Sequence, residues 1–126
     1  MSGKFFVCEV CGNIAGKVHD SGVPLVCCGR PMKELAANST DAAGEKHVPV
    51  VEVKGNQVIV NVGSVAHPMT EEHLITWVCL ETAQGWQRKP LAANGAPKVV
   101  FALADGDTAK TVYVYCNLHG LWKADV

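Results

Sequence analysis

The chain has 126 residues, 48% hydrophobic and 18% charged, with a formal net charge of −1. That balance describes a folded globular protein and excludes a disordered one, and no apolar run approaches the ~20 residues that a transmembrane helix needs. The near-zero charge leaves no basic footprint, so no nucleic-acid partner is expected.

The N-terminal run Phe5-Phe6-Val7 with a single lysine before it is too short for a secretory leader, and the expected compartment is the cytoplasm. Next comes the pair Cys8-Glu9-Val10-Cys11, and after a further stretch the adjacent Cys27-Cys28. Two cysteines separated by two residues grip one ion from a tight turn, and Gly12 supplies the backbone freedom that the turn needs. Residues 17–26 are long enough to loop back and present the second pair. Two disulfides, or unpaired thiols in a small core, are the competing readings. Adjacent cysteines rarely bridge each other because the required geometry strains the peptide between them, and nothing indicates an oxidising compartment, so a thiophilic metal is favoured. Roughly 30 residues cannot bury enough apolar surface to fold alone, which makes the metal the staple of this segment. Residues 36–45 are small and polar without periodicity and read as a linker rather than an internal loop. The expected division is therefore 1–36 and 37–126. Asn38-Ser39-Thr40 fits a glycosylation pattern, but in a cytoplasmic chain it marks only an exposed loop.

From His47 onward the pattern is β. Val48, Val50, Val51 and Val53 lead into the turn signal Lys54-Gly55-Asn56, after which Val58, Val60 and Val62 alternate with Gln57, Ile59 and Asn61. Residues 74–80 are apolar on both faces, as expected of a central strand. Residues 99–103 and 111–115 form two more strands around the turn Asp105-Gly106-Asp107, with shorter candidates at 86–88 and 121–123. Thr70-Glu71-Glu72 is a candidate single helical turn, Thr acting as its cap. Short strands separated by turn signals, with no long helical pattern, predict an antiparallel β-sandwich. The fold class is thus all-β, a small metal-stapled domain followed by a sandwich.

Four of the five histidines, His47, His67, His73 and His119, lie in the β part, and Cys116 precedes His119 by three residues. All five positions fall at strand ends, where a sandwich gathers its loops into a rim that can hold a metal. Scattered surface histidines would be the bland explanation, but Cys-x2-His at a strand end is itself a ligand pair. Four imidazoles and a thiolate exceed the four-coordinate demand of zinc and suit iron with one position open. Copper is the nearest competitor, since Tyr115-Cys116-Asn117-Leu118-His119 is similar to a blue-copper loop. The weak methionine ligand expected there is replaced by Gly120, Leu121 and Trp122, and two histidines would be left idle. Cys79, inside an apolar strand, and His19 read as ordinary structural residues.

Cys8-x2-Cys11 with Cys27-Cys28-Gly29, then Glu45-Lys46-His47-Val48-Pro49, Val65-Ala66-His67-Pro68-Met69, Glu72-His73 and Cys116-Asn117-Leu118-His119-Gly120 occur in one order along the chain. In this the sequence resembles the desulfoferrodoxin family of two-iron superoxide reductases over essentially its whole length. The resemblance implies a desulforedoxin-like (rubredoxin-like) domain holding Fe3+ on Cys8, Cys11, Cys27 and Cys28. It also implies an immunoglobulin-like second domain, in a homodimer, with a catalytic Fe2+/Fe3+ centre on His47, His67, His73, Cys116 and His119. Superoxide would be reduced to hydrogen peroxide there, with Lys46 attracting the anion and Glu45 closing the open position after turnover. Electrons would come from an outside donor such as rubredoxin. Two other classes remain in play: an electron carrier without a small-molecule substrate, and a zinc-stapled binding module with a copper site.

Overall fold

The computed structural model describes residues 4–126. The chain divides into two compact units, Met1–Ala36 and Ala37–Val126.

The first unit carries five short strands, β1 (Phe5–Val7), β2 (Ile14–Gly16), β3 (Val26–Cys27), β4 (Arg30–Pro31) and β5 (Lys33–Glu34). They form an antiparallel sheet in the order β2-β1-β5 and a separate β3–β4 ladder. Phe6 and Cys8 are buried, whereas Val10, Val18, Val23 and Val26 stay exposed, so apolar burial is too small to hold the unit by itself. Local polar contacts add order. The Lys17 ammonium lies 5.2 Å from the centre of the Phe6 ring and donates to Asp20 Oδ1 and to the Val23 carbonyl, each at 2.8 Å. Asp20 Oδ1 also accepts the Gly22 N–H at 2.8 Å.

The second unit contains one helical turn, α1 (Gly44–His47), and seven strands: β6 (Pro49–Lys54), β7 (Gln57–Val62), β8 (Ile75–Thr82), β9 (Trp86–Pro90), β10 (Lys98–Ala102), β11 (Ala109–Cys116) and β12 (Gly120–Asp125). Two antiparallel sheets result, in the orders β10-β7-β6 and β12-β11-β8-β9. The alternation read in β7 puts Val58, Val60 and Val62 inward, where they meet Phe101, Val78, Leu80, Val112 and Val114 in one fully buried core. Each such side chain contributes roughly 1.5–3 kcal/mol of transfer free energy.

The pairing of β8 with β11 slips near the end that carries Cys116. Tyr115 faces Trp77, but Cys116 faces Ile75, leaving Thr76 as an extra residue. A bulge of this kind re-aims the side chains beside it, and here both Cys116 and Ile75 are fully buried.

Sheet edges are closed by side chains. Gln87 Nε2 and Lys89 Nζ of β9 donate to the Ala102 and Val100 carbonyls of β10 at 2.7 and 2.6 Å, tying the two sheets together along one side. On the other side Asn38 covers β12: its N–H donates to Leu121 O (3.0 Å), its Nδ2 to Lys123 O (3.2 Å), and its Oδ1 accepts Lys123 N–H (2.9 Å).

Two local expectations are corrected. The stretch read as a linker makes defined contacts: Asn38 bonds β12, Ala42 packs against the core and residues 44–47 wind into α1. His47 ends that turn and stands just before β6, the strand it was expected to precede; Pro49 lacks an N–H and drives Val48 to extended backbone (φ −67, ψ 120), which stops the helix. Thr70–Glu72 is a bend, not a helical turn. The Thr70 hydroxyl does act as a cap, but on the His73 N–H at 3.1 Å, while Thr70 N–H bonds His73 O at 3.0 Å.

Candidate metal centres

The four cysteines of the first unit converge, with all four Sγ atoms within 4.8 Å of one another. Cys8 sits at the end of β1, and the chain turns so that Gly12 N–H bonds Cys8 O at 2.9 Å and Cys8 N–H bonds Asn13 O at 2.8 Å. Gly12 takes φ +83, the left-handed backbone that its lack of a side chain permits. The Cys11 N–H points at Cys8 Sγ (3.5 Å), and the Asn13 amide at Cys27 Sγ (3.6 Å).

Cys11 and Cys27 sulfurs are 3.6 Å apart, and those of Cys27 and Cys28 3.9 Å. A disulfide needs about 2.05 Å. Sulfurs around a tetrahedral metal at ~2.3 Å bonds stand about 3.8 Å apart. The donor set therefore fits a metal, and all six cysteines of the chain are free. Its acidity fits too. The Cys11 N–H draws the Cys8 thiol down to about 6 against the opposing effect of burial, whereas hydrogen bonding with Cys11, Cys8 and Cys27 pushes Cys28 up to about 12. The Cys8 thiolate forms readily, while the Cys27 and Cys28 thiols are held up by hydrogen bonding with the neighbouring cysteines.

In the second unit His47, His67, His73 and Cys116 bring one donor atom each within 4.8 Å of the others. His47 hangs from α1, His67 from the loop after β7, His73 from the bend before β8, and Cys116 from the end of β11. His119 joins through Nδ1, 3.1 Å from His47 Nε2 and 3.8 Å from Cys116 Sγ. The four rings form a square: neighbouring centroids are 4.7 Å (His47–His67), 4.7 Å (His67–His73), 5.1 Å (His73–His119) and 4.9 Å (His47–His119) apart, and the His47–His73 diagonal is 6.4 Å. Neighbouring rings stand nearly perpendicular, at 75–87°.

Backbone carbonyls fix the ring directions. His47 Nδ1 donates to Ala43 O and His67 Nδ1 to Pro68 O, both at 2.7 Å, which turns their Nε2 atoms inward, 3.2 Å apart. Bonds of ~2.1 Å to a metal at the centre of a square predict about 3.0 Å along each side. His73 Nε2 is buried with no hydrogen-bond partner, an orphaned lone pair that a metal would satisfy. Burial pushes the His67 imidazole down to about 4 and lowers that of His73 as well, keeping both neutral as ligands must be. Cys116, fully buried, brings its sulfur within reach of all four corners.

Glu45 and Lys46 are exposed on α1, immediately before His47. The Lys46 charge contributes to holding the His73 pKa down, so its field reaches the cluster. Neither belongs to a ligand group. His19 is exposed, and Cys79 is buried on β8, away from both clusters in the ligand geometry.

Several contributors escape a search for ligand residues. Trp122 stacks on the His47 ring (centroids 4.8 Å, 25° between planes) and donates Nε1–H to the His119 carbonyl at 3.1 Å, bracing two corners. The Ala43 and Pro68 carbonyls carry no signal in side-chain chemistry. Trp122 stands shortly after the Cys-x2-His pair, a clue of position alone.

Residues 39–125 match the desulfoferrodoxin family, and residues 2–35 match the desulfoferrodoxin N-terminal domain. The chain belongs to the desulfoferrodoxin family. It is 47% identical over 122 residues to a desulfoferrodoxin from Syntrophotalea carbinolica, covering 97% of this chain and 95% of that one. Identity to the desulfoferrodoxin of Nitratidesulfovibrio vulgaris is 46% over 123 residues, with coverage of 97% and 95%. A crystal structure of the superoxide reductase from Treponema pallidum superposes with a TM-score of 0.85 at 43% identity, spanning 99% of this chain and all of that one. As a desulfoferrodoxin-family chain it takes iron at both clusters, one four-cysteine site and one site of histidines and a cysteine. No helix of the described residues is long and apolar enough to cross a membrane.

Proposed function

We propose that this chain is a superoxide reductase that converts superoxide to hydrogen peroxide, O2•− + e− + 2H+ → H2O2, at the His/Cys cluster. The observation that carries this reading is the square of four imidazoles with the buried Cys116 sulfur beside it. A metal held by these five donors would have room for one further small ligand. Iron held there supplies the single electron that the reaction consumes.

The residues divide the remaining work. His47, His67 and His73 through Nε2, His119 through Nδ1 and Cys116 through Sγ would hold the iron. Cys116, bound to the iron as a thiolate, would supply electron density to it, as thiolates do in haem sites. Lys46 draws the anionic substrate to the rim, where positive potential raises anion on-rates by roughly 10–10³-fold. Solvent at this exposed turn delivers the two protons. Glu45 is the carboxylate available to cover the open side after the product leaves.

Residues 1–36 form the desulforedoxin-like domain, with Cys8, Cys11, Cys27 and Cys28 saturating their iron so that no substrate binds there; its role is to store or relay electrons. Residues 37–126 form the catalytic domain. The electron donor is an external carrier such as rubredoxin, the protein works as a homodimer, and its compartment is the cytoplasm, a reading supported by six unpaired thiols.

Rapid mixing of the reduced protein with superoxide tests the proposal. One peroxide per superoxide with no oxygen evolved supports it, while oxygen release in a dismutation ratio refutes it. Azide separates an enzyme from a closed electron carrier: it must perturb the spectrum of the oxidised His/Cys site and leave the four-cysteine site unchanged.

A further inference from the structure

His73 is the corner whose inward nitrogen, Nε2, is buried with no hydrogen-bond partner. His47 and His67 each have a ring nitrogen tied to the backbone, and Trp122 braces His47 and the His119 carbonyl. What fixes His73 is the chain on either side of it. Asn117 Nδ2 donates to the carbonyl of Glu72 at 2.9 Å, and Asn117 Oδ1 accepts the N–H of Leu74 at 3.0 Å. One side-chain amide therefore clamps the residues immediately before and after His73. Leu74 has an N–H to give and Glu72 a C=O to offer, so the two bonds also settle which way the amide faces. The Asn117 N–H adds a third contact, to Leu74 O at 3.2 Å, continuing the β8–β11 pairing beyond the bulge.

We propose that Asn117 is the positioning residue of His73, locking it to the hairpin that supplies Cys116 and His119. The inference rests on the ligand set assigned above. Asn117 lies between those two ligands in the chain and reaches 43–45 residues back to the third. A pure strand contact would need only the backbone bond; the amide adds a clamp whose two ends straddle the ligand. Alanine at this position leaves the His73 segment with its Thr70 bend and loses the connection to the hairpin. Outer partners of metal ligands typically change metal affinity about 10–100-fold when removed.

The test is release of iron from the oxidised full-length protein to a chelator, followed through the absorption of each centre. In Asn117→Ala, release from the His/Cys site should speed up at least about 10-fold, with the four-cysteine site unchanged as an internal control. Asn117→Asp keeps the acceptor for Leu74 and loses the donor to Glu72; it should also release faster than wild type, and it carries the test should the alanine variant fail to fold. Phe101→Leu, in the core on β10, a strand that carries no ligand, controls for stability and should release iron as wild type does. Adding His73→Ala to Asn117→Ala should have far less effect than His73→Ala alone. The proposal is overturned if both Asn117 variants release iron at the wild-type rate, if Phe101→Leu matches them at equal thermal midpoint, or if the double variant is additive. Because the readout is iron release, the outcome is separate from whether the protein reduces superoxide: failure of that activity in wild type would count against the function and leave the clamp standing.

Discussion

Gly63 offers a measurable link between the loop that presents His67 and the turn that presents His47. It lies at the end of β7 with φ +87, and a Cβ built there would collide with Val65 O and lie 2.7 Å from Glu45 O and 2.8 Å from the Lys46 carbonyl carbon. All three obstacles are backbone. The same two segments are stitched by Val65 N–H to Glu45 O at 2.9 Å and Ser64 Oγ to Glu45 O at 3.3 Å, so the collision cannot be relieved by rotating a side chain. Gly106 is the natural control, having φ +82 and nothing within 4 Å of its would-be Cβ. Gly106→Ala carries only backbone strain, roughly 1–2 kcal/mol. Gly63→Ala carries a comparable strain plus an overpacking cost of roughly 1–3 kcal/mol. The difference between the variants isolates the collision, and each kcal/mol of it lowers the thermal midpoint by about 4–8 °C in a domain of this size. Thermal unfolding by circular dichroism, at fixed iron content, measures both. Equal midpoints for Gly63→Ala and Gly106→Ala would refute the reasoning.

Lys46→Ile should slow the second-order reaction with superoxide by roughly 10-fold or more at low salt and flatten its ionic-strength dependence; unchanged kinetics would remove the steering role. Cys11→Ser should lose the first iron and keep most superoxide reactivity, checked by metal analysis beside rapid kinetics. Cys79, pushed up to about 12 by burial, should resist alkylation at pH 8 in the native protein and react on unfolding; mass spectrometry of the labelled protein decides it. Asp20 has its pKa lowered, first by the Lys17 hydrogen bond and then by the Gly22 N–H. A depressed carboxylate stabilises the fold above its unfolded pKa and loses that contribution as pH falls through its folded pKa. Wild type should therefore be more stable than Asp20→Asn at neutral pH, and the gap should close in acid; a gap independent of pH would contradict the ion pair.

Much of the architecture was legible because its signals are local. Cys-x2-Cys and Cys-x2-His are spacings, and the Val58, Val60, Val62 alternation is a two-residue period, all readable within a short window. Residues 74–80 read as apolar on both faces, which fits a strand flanked by β9 and β11 with Val78 and Leu80 inward and Cys79 buried as well. What the sequence concealed depends on distant partners. Trp122 stacks on a ring 75 positions earlier, and nothing near it in the chain announces that. Asn117 lies inside a recognised motif, yet its task concerns His73, and the Thr76 bulge exists only in the register between two strands. The α1 turn was hidden for another reason: four residues with no side-chain cap at Ala43 have little intrinsic preference, and the contact of their carbonyls with the His67 loop holds them.

The grip of Asn38 on β12 bears on how this protein can be cut. Its φ of +58 lets backbone and amide turn toward the same strand, so one residue occupies the outward hydrogen-bonding groups of Leu121 and Lys123. Without it the last strand would present a bare row of donors and acceptors to any passing chain, a seed for intermolecular sheet growth. A shortened protein starting at Ala37 keeps its own stopper; one starting at Asp41 loses it with every metal ligand of the second unit still in place. The boundary of the reactive unit is therefore set by colloidal behaviour as much as by chemistry.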